Sequence, residues 1–201
     1  MSKPDTLFVQ EIISRAIQES IKVKAKLLEQ QAFSIVRLSD RLVRTFRAGN
    51  KIILFGNGGS AADSQHVAGE LVNRFLLDRD ALPAIALTTD ISIITSVGND
   101  TSFDQIFSRQ VQALTQKGDV VVAMSTSGNS PNILEGILAA REKEAFTVGF
   151  TGRDGGHLGD IVDMCLRVPS DHTPRIQEAH ITIWHALCEV VEWELFGTLA
   201  H

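Results

Sequence analysis

Two segments rich in glycine and serine carry groups suited to binding an anion. The first covers residues 56–60 and follows an apolar run at 51–55; the second covers residues 125–130 and follows an apolar run at 120–124. Glycines let the backbone approach a ligand, hydroxyls donate hydrogen bonds, and helix N-termini favour negative charge. Neither segment contains Lys or Arg, which suits one phosphate group better than a polyphosphate. The sequence therefore predicts a cradle for a small phosphorylated molecule.

The first segment also matches the dinucleotide-binding fingerprint Gly-x-Gly-x-x-Gly/Ala through residues 56–61. That fingerprint requires an acidic residue about 20 positions further on, at the end of the next strand. Asp78 and Asp80 fall before the next predicted strand, and Asp90 falls beyond it. No Gly-Lys-Ser/Thr sequence follows either segment, which disfavours a Walker-type site. We expect no nucleotide cofactor.

The second segment has a simpler interpretation that stays open. Ser130 followed by Pro131 is typical of a helix N-cap and the first helical position. Capping would account for the hydroxyl of Ser130. It leaves the hydroxyls of Ser125, Thr126 and Ser127 unexplained, and their concentration in one turn favours a monophosphate pocket.

Hydrophobic periodicity predicts an α/β domain. Two leading helices are expected over about residues 6–30 and 33–48, the second closed by Gly49. Strands then alternate with helices, which indicates a parallel five-stranded sheet covered on both faces, a three-layer α/β/α arrangement. The predicted strands lie at 51–55, 83–88, 119–124, 146–150 and 162–168, and the further helices at about 60–77, 90–97, 103–116, 130–143 and 174–196.

Composition limits the classes of function. The chain has 201 residues, which suits one domain, and its net charge of −5 argues against nucleic-acid binding. It holds no apolar stretch long enough for a membrane span, and its first residues lack the apolar core of a secretory signal. Cys165 and Cys188 sit among apolar neighbours and are expected to be buried free thiols. We expect a cytoplasmic protein with neither nucleic acid nor membrane as a partner.

Five motifs, taken in order, resemble those of the sugar isomerase (SIS) domain and, more closely, of bacterial phosphoheptose isomerases. Members of that family interconvert sedoheptulose 7-phosphate and D-glycero-D-manno-heptose 7-phosphate. The resemblance covers nearly the whole chain. Its segments are Phe55-Gly56-Asn57-Gly58-Gly59-Ser60, Gln65-His66-x-x-x-Glu70, Val97-Gly98-Asn99-Asp100, Ser125-Thr126-Ser127-Gly128-Asn129-Ser130 and Arg175-Ile176-Gln177-Glu178-x-His180-x-x-x-x-His185.

The resemblance implies a set of roles for the matching positions. Glu70 and His185 would transfer protons, and a zinc ion would be held by His66, Glu70, Gln177 and His185. The family also implies the first step of ADP- or GDP-heptose precursor synthesis, for lipopolysaccharide or a related glycan. Substrate would be contacted by Asn57, Gly58, Gly59, Ser60, Glu70, Asn99, Asp100, Ser125, Thr126, Ser127, Ser130 and Gln177.

The resemblance also implies a homotetramer with its sites near subunit contacts. Residues 1–201 would form a single SIS domain, with the helical pair at 1–49 in assembly and the sugar-phosphate-binding core at 50–201. The periodicity alone leaves a choice open, because the two leading helices could pack on the sheet or pair with other copies of the chain.

Residue chemistry is consistent with these implied roles. His66 and Glu70 are four apart and project from one helix face, whereas Gln177 and His185 are eight apart and share a side only loosely. His and Glu are ordinary zinc ligands, and Gln is a weak one. Moving a carbonyl between two sugar carbons requires a base beside that carbonyl, and Glu70 fits this role with His185 as the acid. The chain contains no tyrosine, so a phenol cannot be the acid.

One departure and one alternative remain. Some family members carry an acidic residue three positions before the glutamine, where this chain has Pro174, with Asp171 displaced by three positions. This puts the sugar-hydroxyl contacts of that loop in doubt and leaves room for a related sugar phosphate. The alternative function is a non-catalytic SIS-domain protein that binds the bacterial replication initiator. That branch lacks the full ligand set, which this chain keeps.

Overall fold

The computed structural model describes residues 6–197 and contains one parallel five-stranded sheet. The strand order is β2-β1-β3-β4-β5. The strands are β1 Ile52–Gly56, β2 Ala84–Ala86, β3 Val120–Ser125, β4 Phe146–Gly152 and β5 Met164–Val168. The helices are α1 Thr6–Arg47, α2 Gly59–Val72, α3 Ile91–Asp100, α4 Ile106–Leu114, α5 Pro131–Glu142, α6 Gly156–Ile161 and α7 Thr173–Phe196, with a short 3₁₀ turn at Phe103–Gln105.

Helices cover both faces of the sheet, which confirms the predicted three-layer α/β class. Along β1 the side chains alternate: Ile52 and Leu54 join a cluster with α1, α2 and α7, and Ile53 and Phe55 join a second cluster with α4 and α5. Strands buried on both faces read as continuous apolar runs, as these do. Trp184 of α7 is among the largest fully buried side chains and belongs to the first cluster.

The N-terminal region is one helix and not two. Helix α1 runs unbroken for 42 residues, which corresponds to about 63 Å at about 1.5 Å per residue. The predicted break near residues 31–32 was wrong because it rested on a change in apolar spacing. The segment Thr6–Arg47 contains no Gly or Pro, the residues that end helices most strongly.

Helix α1 packs against the domain mainly through its second half, although Leu27 near its middle is also buried and Val23 is half-buried against the same cluster. Leu38, Leu42, Val43 and Phe46 are buried in that second half. Polar contacts also hold the earlier turns: the Arg175 guanidinium of α7 donates to the carbonyl of Ala16 over 2.7 Å, and the Glu19 carboxylate lies 3.8 Å from Arg175 and 3.9 Å from His172. Many large apolar side chains nevertheless stay exposed on α1: Leu7, Phe8, Val9, Ile12, Ile13, Ile17, Ile21, Leu28, Phe33 and Val36.

The element boundaries differ most after α2. The predicted helix 60–77 ends at Val72, because the backbone N–H groups of Phe75, Leu76 and Leu77 donate to the carboxylate of Glu192 instead of to helix carbonyls. The short helix α6 was not predicted, and the predicted helix 103–116 is divided into the 3₁₀ turn and α4. Among residues 6–197, no helix has the length and apolar character needed to cross a membrane.

The sheet topology determines where a ligand can bind. The chain leaves β1 toward β2 on one side and later returns to β3 on the other side. In open parallel sheets, ligands bind beyond the carboxyl ends of the strands at such a reversal of strand order. Both Gly/Ser-rich segments follow the carboxyl ends of these two strands, β1 and β3, so the fold places them at one crevice.

Candidate active site

Three titratable side chains meet between α2 and α7. The Nε2 atom of His66 lies 3.0 Å from Nε2 of His185 and 3.3 Å from Oε1 of Glu70. The ring of Phe75 stacks against the ring of His185 with centroids 5.5 Å apart. The side chain of Glu70 is 23% exposed and that of His66 is 47% exposed. The cluster therefore opens to solvent, as a site for a small molecule requires.

Gln177 lies against the beginning of α2. A Cβ atom placed on Gly59 would come within 2.5 Å of Nε2 of Gln177, so only glycine leaves room for this side chain. Gly59 and Gln177 face each other about two turns before His66 and His185 do, so α2 and α7 run in the same direction. The structure thus brings all four predicted ligands, His66, Glu70, Gln177 and His185, to one helix–helix seam.

The second loop uses its own hydroxyls to hold its shape. Gly128 N–H donates to Oγ of Ser125 over 3.1 Å, and Asn129 N–H donates to Oγ of Ser127 over 3.2 Å. Each hydroxyl accepts in these bonds and keeps its own O–H to donate to a ligand. Ser130 occupies the N-cap position of α5 but makes no side-chain capping bond. The capping interpretation of Ser130 is therefore correct for its position and wrong for its hydroxyl.

The two loops are joined by a pair of amide side chains. Asn57 Nδ2 donates to Asn132 Oδ1, and Asn132 Nδ2 donates to Asn57 Oδ1, each over 2.9 Å. Asn132 is 2% exposed. The sequence analysis missed Asn132. In the sequence, Asn132 is only a polar residue in the first turn of a helix, followed by an apolar residue. This pattern is common at helix starts and does not indicate a functional role.

The first turn of α6 also holds the second loop in place. Leu158 N–H donates to the Gly128 carbonyl over 2.9 Å, and His157 N–H donates to Oδ1 of Asn129 over 3.0 Å. Gly128 has a φ of 68°, and a Cβ there would meet the Gly155 carbonyl oxygen at 2.0 Å. Substitution of Gly128 would therefore displace the loop that carries Ser127 and Ser130.

Asp63 is a second residue that the sequence analysis did not assign to the site. It lies one turn before His66 on α2, and its Oδ2 atom is buried without a hydrogen-bond partner among the described residues. Burial raises the pKa of Asp63, and the nearby His66 partly opposes this rise. A carboxyl in this condition has an oxygen available to a ligand or a water molecule.

Asn99 and Asp100 are not gathered with the other predicted residues. They end α3, where both are exposed and Asn99 Nδ2 donates to Asp100 Oδ1 over 2.8 Å. Within residues 6–197, no hydrogen bond links either of them to the two loops or to the α2–α7 seam. Their predicted contact with substrate remains a prediction.

Sequence and structure comparisons identify relatives of the whole chain. The SIS domain family matches residues 17–152. A phosphoheptose isomerase of Roseiflexus sp. is 52% identical over 196 residues, 98% of this chain and 99% of that protein. A phosphoheptose isomerase of Trichlorobacter lovleyi is 47% identical over 192 residues, 96% of this chain and 98% of that protein. The solved phosphoheptose isomerase of Neisseria gonorrhoeae superposes with a TM-score of 0.87 at 41% identity, over 92% of this chain and 98% of that one.

The chain belongs to the phosphoheptose isomerases of the SIS domain family. The resemblance stated from the motifs is thereby confirmed, together with the SIS-type fold. The comparisons give no support to the alternative of a non-catalytic protein that binds the replication initiator.

The side chains at the α2–α7 seam include donor types that bind metal ions, and two of their separations can be compared with those of zinc ligands. Among the described residues, no group of three or more His, Cys, Asp or Glu side chains is arranged as a ready-made metal site. Two ligand atoms about 2.0–2.1 Å from a tetrahedral zinc lie about 3.3–3.4 Å apart. The separations of 3.0 and 3.3 Å around His66 Nε2 lie close to this value. The donor types and these two separations are therefore compatible with ligands of one metal ion.

His180 lies on the same helix but in the core. It is fully buried, and its Nε2 lies 3.1 Å from the carbonyl oxygen of Thr151. Burial lowers the pKa of His180 to about 4, although the contact with Thr151 acts in the opposite direction. A neutral imidazole fixed on a strand carbonyl supports the fold.

Proposed function

We propose that this chain is an aldose–ketose isomerase that interconverts sedoheptulose 7-phosphate and D-glycero-D-manno-heptose 7-phosphate. The proposal rests on one arrangement above all: the Glu70 carboxylate and the His185 imidazole both lie against the ring of His66 at the α2–α7 seam, beside the two loops suited to a phosphate. Relatives that bear the name phosphoheptose isomerase share about half of its residues over nearly the full length. The reaction would be the first step of heptose precursor synthesis, in the cytoplasm.

Binding of the phosphate is assigned to the β3–α5 loop. Ser125, Thr126, Ser127 and Ser130 would donate hydroxyl hydrogen bonds, and the N-terminus of α5 adds free backbone N–H groups. The partial positive charge of a helix N-terminus contributes about 0.3–1 kcal/mol to such binding. At the other loop, Asn57, Gly58, Gly59 and Ser60 would contact the sugar. The side-chain amide of Asn57 is already hydrogen-bonded to Asn132, so Asn57 would contact the sugar through its backbone.

Proton transfer is assigned to Glu70 and His185. The Glu70 carboxylate removes the proton from the carbon next to the carbonyl, and the C–H electron pair forms the C=C bond of an enediolate while the carbonyl π pair moves to oxygen. Glu70 then returns the proton to the neighbouring carbon, and His185 moves the hydroxyl proton between the two oxygens. A positioned base and acid of this kind each contribute about 10²- to 10⁴-fold to the rate.

Zinc is proposed as the cofactor, held by His66, Glu70, Gln177 and His185. When bound, zinc acts as a Lewis acid that polarises the carbonyl and stabilises negative charge on its oxygen. Gln177 is a weak ligand, which favours an open site over a closed structural one. Chelation followed by equilibrium dialysis against zinc should give about one ion per subunit, and His66→Ala should abolish that binding. Full activity in the metal-free protein would restrict zinc to an incidental occupant.

Assembly into a homotetramer is proposed for residues 1–49, with residues 50–201 as the catalytic core of a single SIS domain. The support is the row of large apolar side chains that α1 exposes, because soluble monomers rarely leave a continuous apolar surface of this size uncovered. Sites near subunit contacts would also explain why Asn99 and Asp100 make no hydrogen bond to the seam among the described residues. Light scattering should give four times the chain mass, and Ile13→Glu should reduce the mass. A monomeric wild-type protein would contradict the assignment.

Glu70→Gln is the variant that tests the proposed function. Its amide cannot accept a proton from carbon, so turnover of sedoheptulose 7-phosphate should fall at least about 10²-fold while the fold persists. Glu189→Gln is the matched control, because Glu189 lies exposed on α7 one turn after His185. Its turnover should equal that of the wild type. A fully active Glu70→Gln protein would remove Glu70 as the base.

A further inference from the structure

A fully buried ion pair lies directly behind the candidate active site. Arg79 Nε is 2.8 Å from Glu192 Oε1, and the two side chains are 1% and 2% exposed. The Glu192 carboxylate also accepts the backbone N–H groups of Phe75, Leu76 and Leu77 at 2.7, 2.7 and 2.9 Å. Burial raises the pKa of Glu192, but these four donors outweigh it and hold the pKa below its ordinary value. The group is therefore a carboxylate.

The guanidinium of Arg79 also has all three of its nitrogens engaged, and two of its three carbonyl partners lie at the end of α2. Nη2 donates to the carbonyl of Glu70 over 2.9 Å, and Nη1 donates to the carbonyls of Leu71 and Asp80 over 2.8 and 2.9 Å. The last carbonyls of a helix have no partner within the helix, so Arg79 acts as their cap. One of the capped residues is the proposed base.

The same pair also reaches His185 by two routes. Glu192 follows His185 by seven residues, two turns further along α7. Phe75 donates its backbone N–H to Glu192 and stacks its ring on His185. Arg79 and Glu192 thus connect the backbone of Glu70 on α2 to the ring that packs against His185 on α7.

Stability alone does not require this pair. Burying two charges is costly, and apolar residues of similar volume often stabilise a core as well or better. A buried polar network in which every partner is satisfied instead holds its members in one arrangement. Catalytic groups need such precision, since a displacement of about 1 Å can lower the rate about 10²-fold.

We propose that Arg79 and Glu192 are positioning residues for catalysis, which hold Glu70 and His185 at their working separation. This assignment rests on the proposed isomerase function. It differs from a purely structural role in its expected effect, because misplacement of the acid and base lowers kcat while the phosphate loops, and hence KM, stay unchanged.

Two variants keep the charges of the pair and so favour a folded protein. Arg79→Lys retains the positive charge beside Glu192 but loses the planar fork that caps Glu70 and Leu71. Phe75→Leu retains the N–H bond to Glu192 but removes the ring from His185. Each should lower kcat about 10- to 100-fold and leave KM within about twofold of the wild type. Glu192→Gln replaces a carboxylate oxygen by an NH₂ group that faces the N–H donors of Phe75, Leu76, Leu77 and Arg79. If this variant folds, its kcat should be lower still.

The chain offers a matched control at the amino ends of the strands, on the side of the sheet opposite to the candidate site. Asp119 is 1% exposed, pairs with Lys51 Nζ at 2.6 Å, and accepts the backbone N–H groups of Lys51 and Gln116. It resembles Glu192 in burial and partners but precedes β3, away from the carboxyl ends of the strands. Asp119→Asn should lower the melting temperature and leave kcat of the folded protein unchanged.

A readout that does not depend on turnover separates this inference from the proposed function. In NMR spectra, the ring protons of His185 should shift in Arg79→Lys and in Phe75→Leu, and should stay in place in Asp119→Asn. If the wild type fails to isomerise sedoheptulose 7-phosphate, the proposed function fails, and the His185 shifts still decide whether the pair positions that ring. Positioning is overturned if Arg79→Lys matches Asp119→Asn, with lower stability, unchanged kcat and unmoved His185 resonances.

Discussion

The contact between Gly59 and Gln177 allows a change that leaves the fold intact and removes function. Gly59 is the first residue of α2, and its backbone needs no positive φ. An alanine Cβ there would lie 2.5 Å from Nε2, 3.0 Å from Cδ and 3.1 Å from Oε1 of Gln177. Because these atoms end a flexible side chain, Gln177 can move away at little cost. Gly59→Ala therefore displaces a proposed ligand without disturbing the backbone.

The size of the effect follows from these distances. Ordinary van der Waals contact begins at 3.4 Å, so the amide of Gln177 must retreat by about 1 Å. A shift of about 1 Å at a reacting centre can cost about 10²-fold in rate. Alanine is meanwhile up to about 1 kcal/mol better than glycine within a helix. We expect kcat/KM for sedoheptulose 7-phosphate to fall about 100-fold, with the melting temperature unchanged or raised.

Gly69→Ala is the matched control for this variant. Gly69 lies on the same helix, and a Cβ there would have no atom within 4 Å. The same substitution should raise the melting temperature by roughly 2–4 °C and leave kcat/KM unchanged. The assay is initial-rate kinetics together with thermal unfolding of the three proteins. The reasoning is refuted if Gly59→Ala keeps wild-type kcat/KM, or if its loss of activity is matched by a loss of stability.

Two further predictions concern the loops and the core. Asn132→Leu should leave the Asn57 amide without its partner, so it should lower the free energy of unfolding by about 1–3 kcal/mol and raise KM. Urea titration measures the loss of stability, and initial-rate kinetics measure KM. An unchanged KM would show that the pair does not order the loops. The pKa of His180 is lowered to about 4 in the folded protein from the ordinary value of 6.5, so the unfolded state binds more protons between these two pH values. Stability should therefore fall by up to about 3 kcal/mol as the pH drops from 6.5 to 4. His180→Gln, whose amide can still donate to Thr151, should show a flatter pH dependence, and equal slopes for the two proteins would contradict this.

Sequence periodicity predicted the sheet well because its three central strands, β1, β3 and β4, are buried on both faces and form largely apolar runs. All five predicted strands overlap the observed ones to within a few residues at each end. The errors arose where tertiary contacts decide the local structure. The apolar spacing of α1 changes near residue 31, yet the backbone continues as helix because no residue interrupts it. After Val72 the helical pattern persists in the sequence, but Glu192, more than a hundred residues later, takes the N–H groups that a helix would use.

Local spacing predicted part of the candidate site, and tertiary packing decides the rest. The i, i+4 spacing of His66 and Glu70 predicted a shared helix face, and their atoms lie 3.3 Å apart. The approach of Gln177 to Gly59 depends on how α7 packs against α2, so the resemblance implied it and spacing alone could not. Asn132 and Arg79 act through partners far away in the sequence. No local pattern distinguishes such residues from ordinary polar positions.

The central claim is isomerisation of a seven-carbon sugar phosphate with Glu70 as the base. The most direct measurement is the conversion of sedoheptulose 7-phosphate by the purified protein in deuterated water, with Glu70→Gln and Glu189→Gln alongside. The account predicts that the wild type and Glu189→Gln form the aldose phosphate and exchange the proton next to the carbonyl, and that Glu70→Gln does neither. A wild-type protein that neither converts nor exchanges the sugar phosphate would contradict the account.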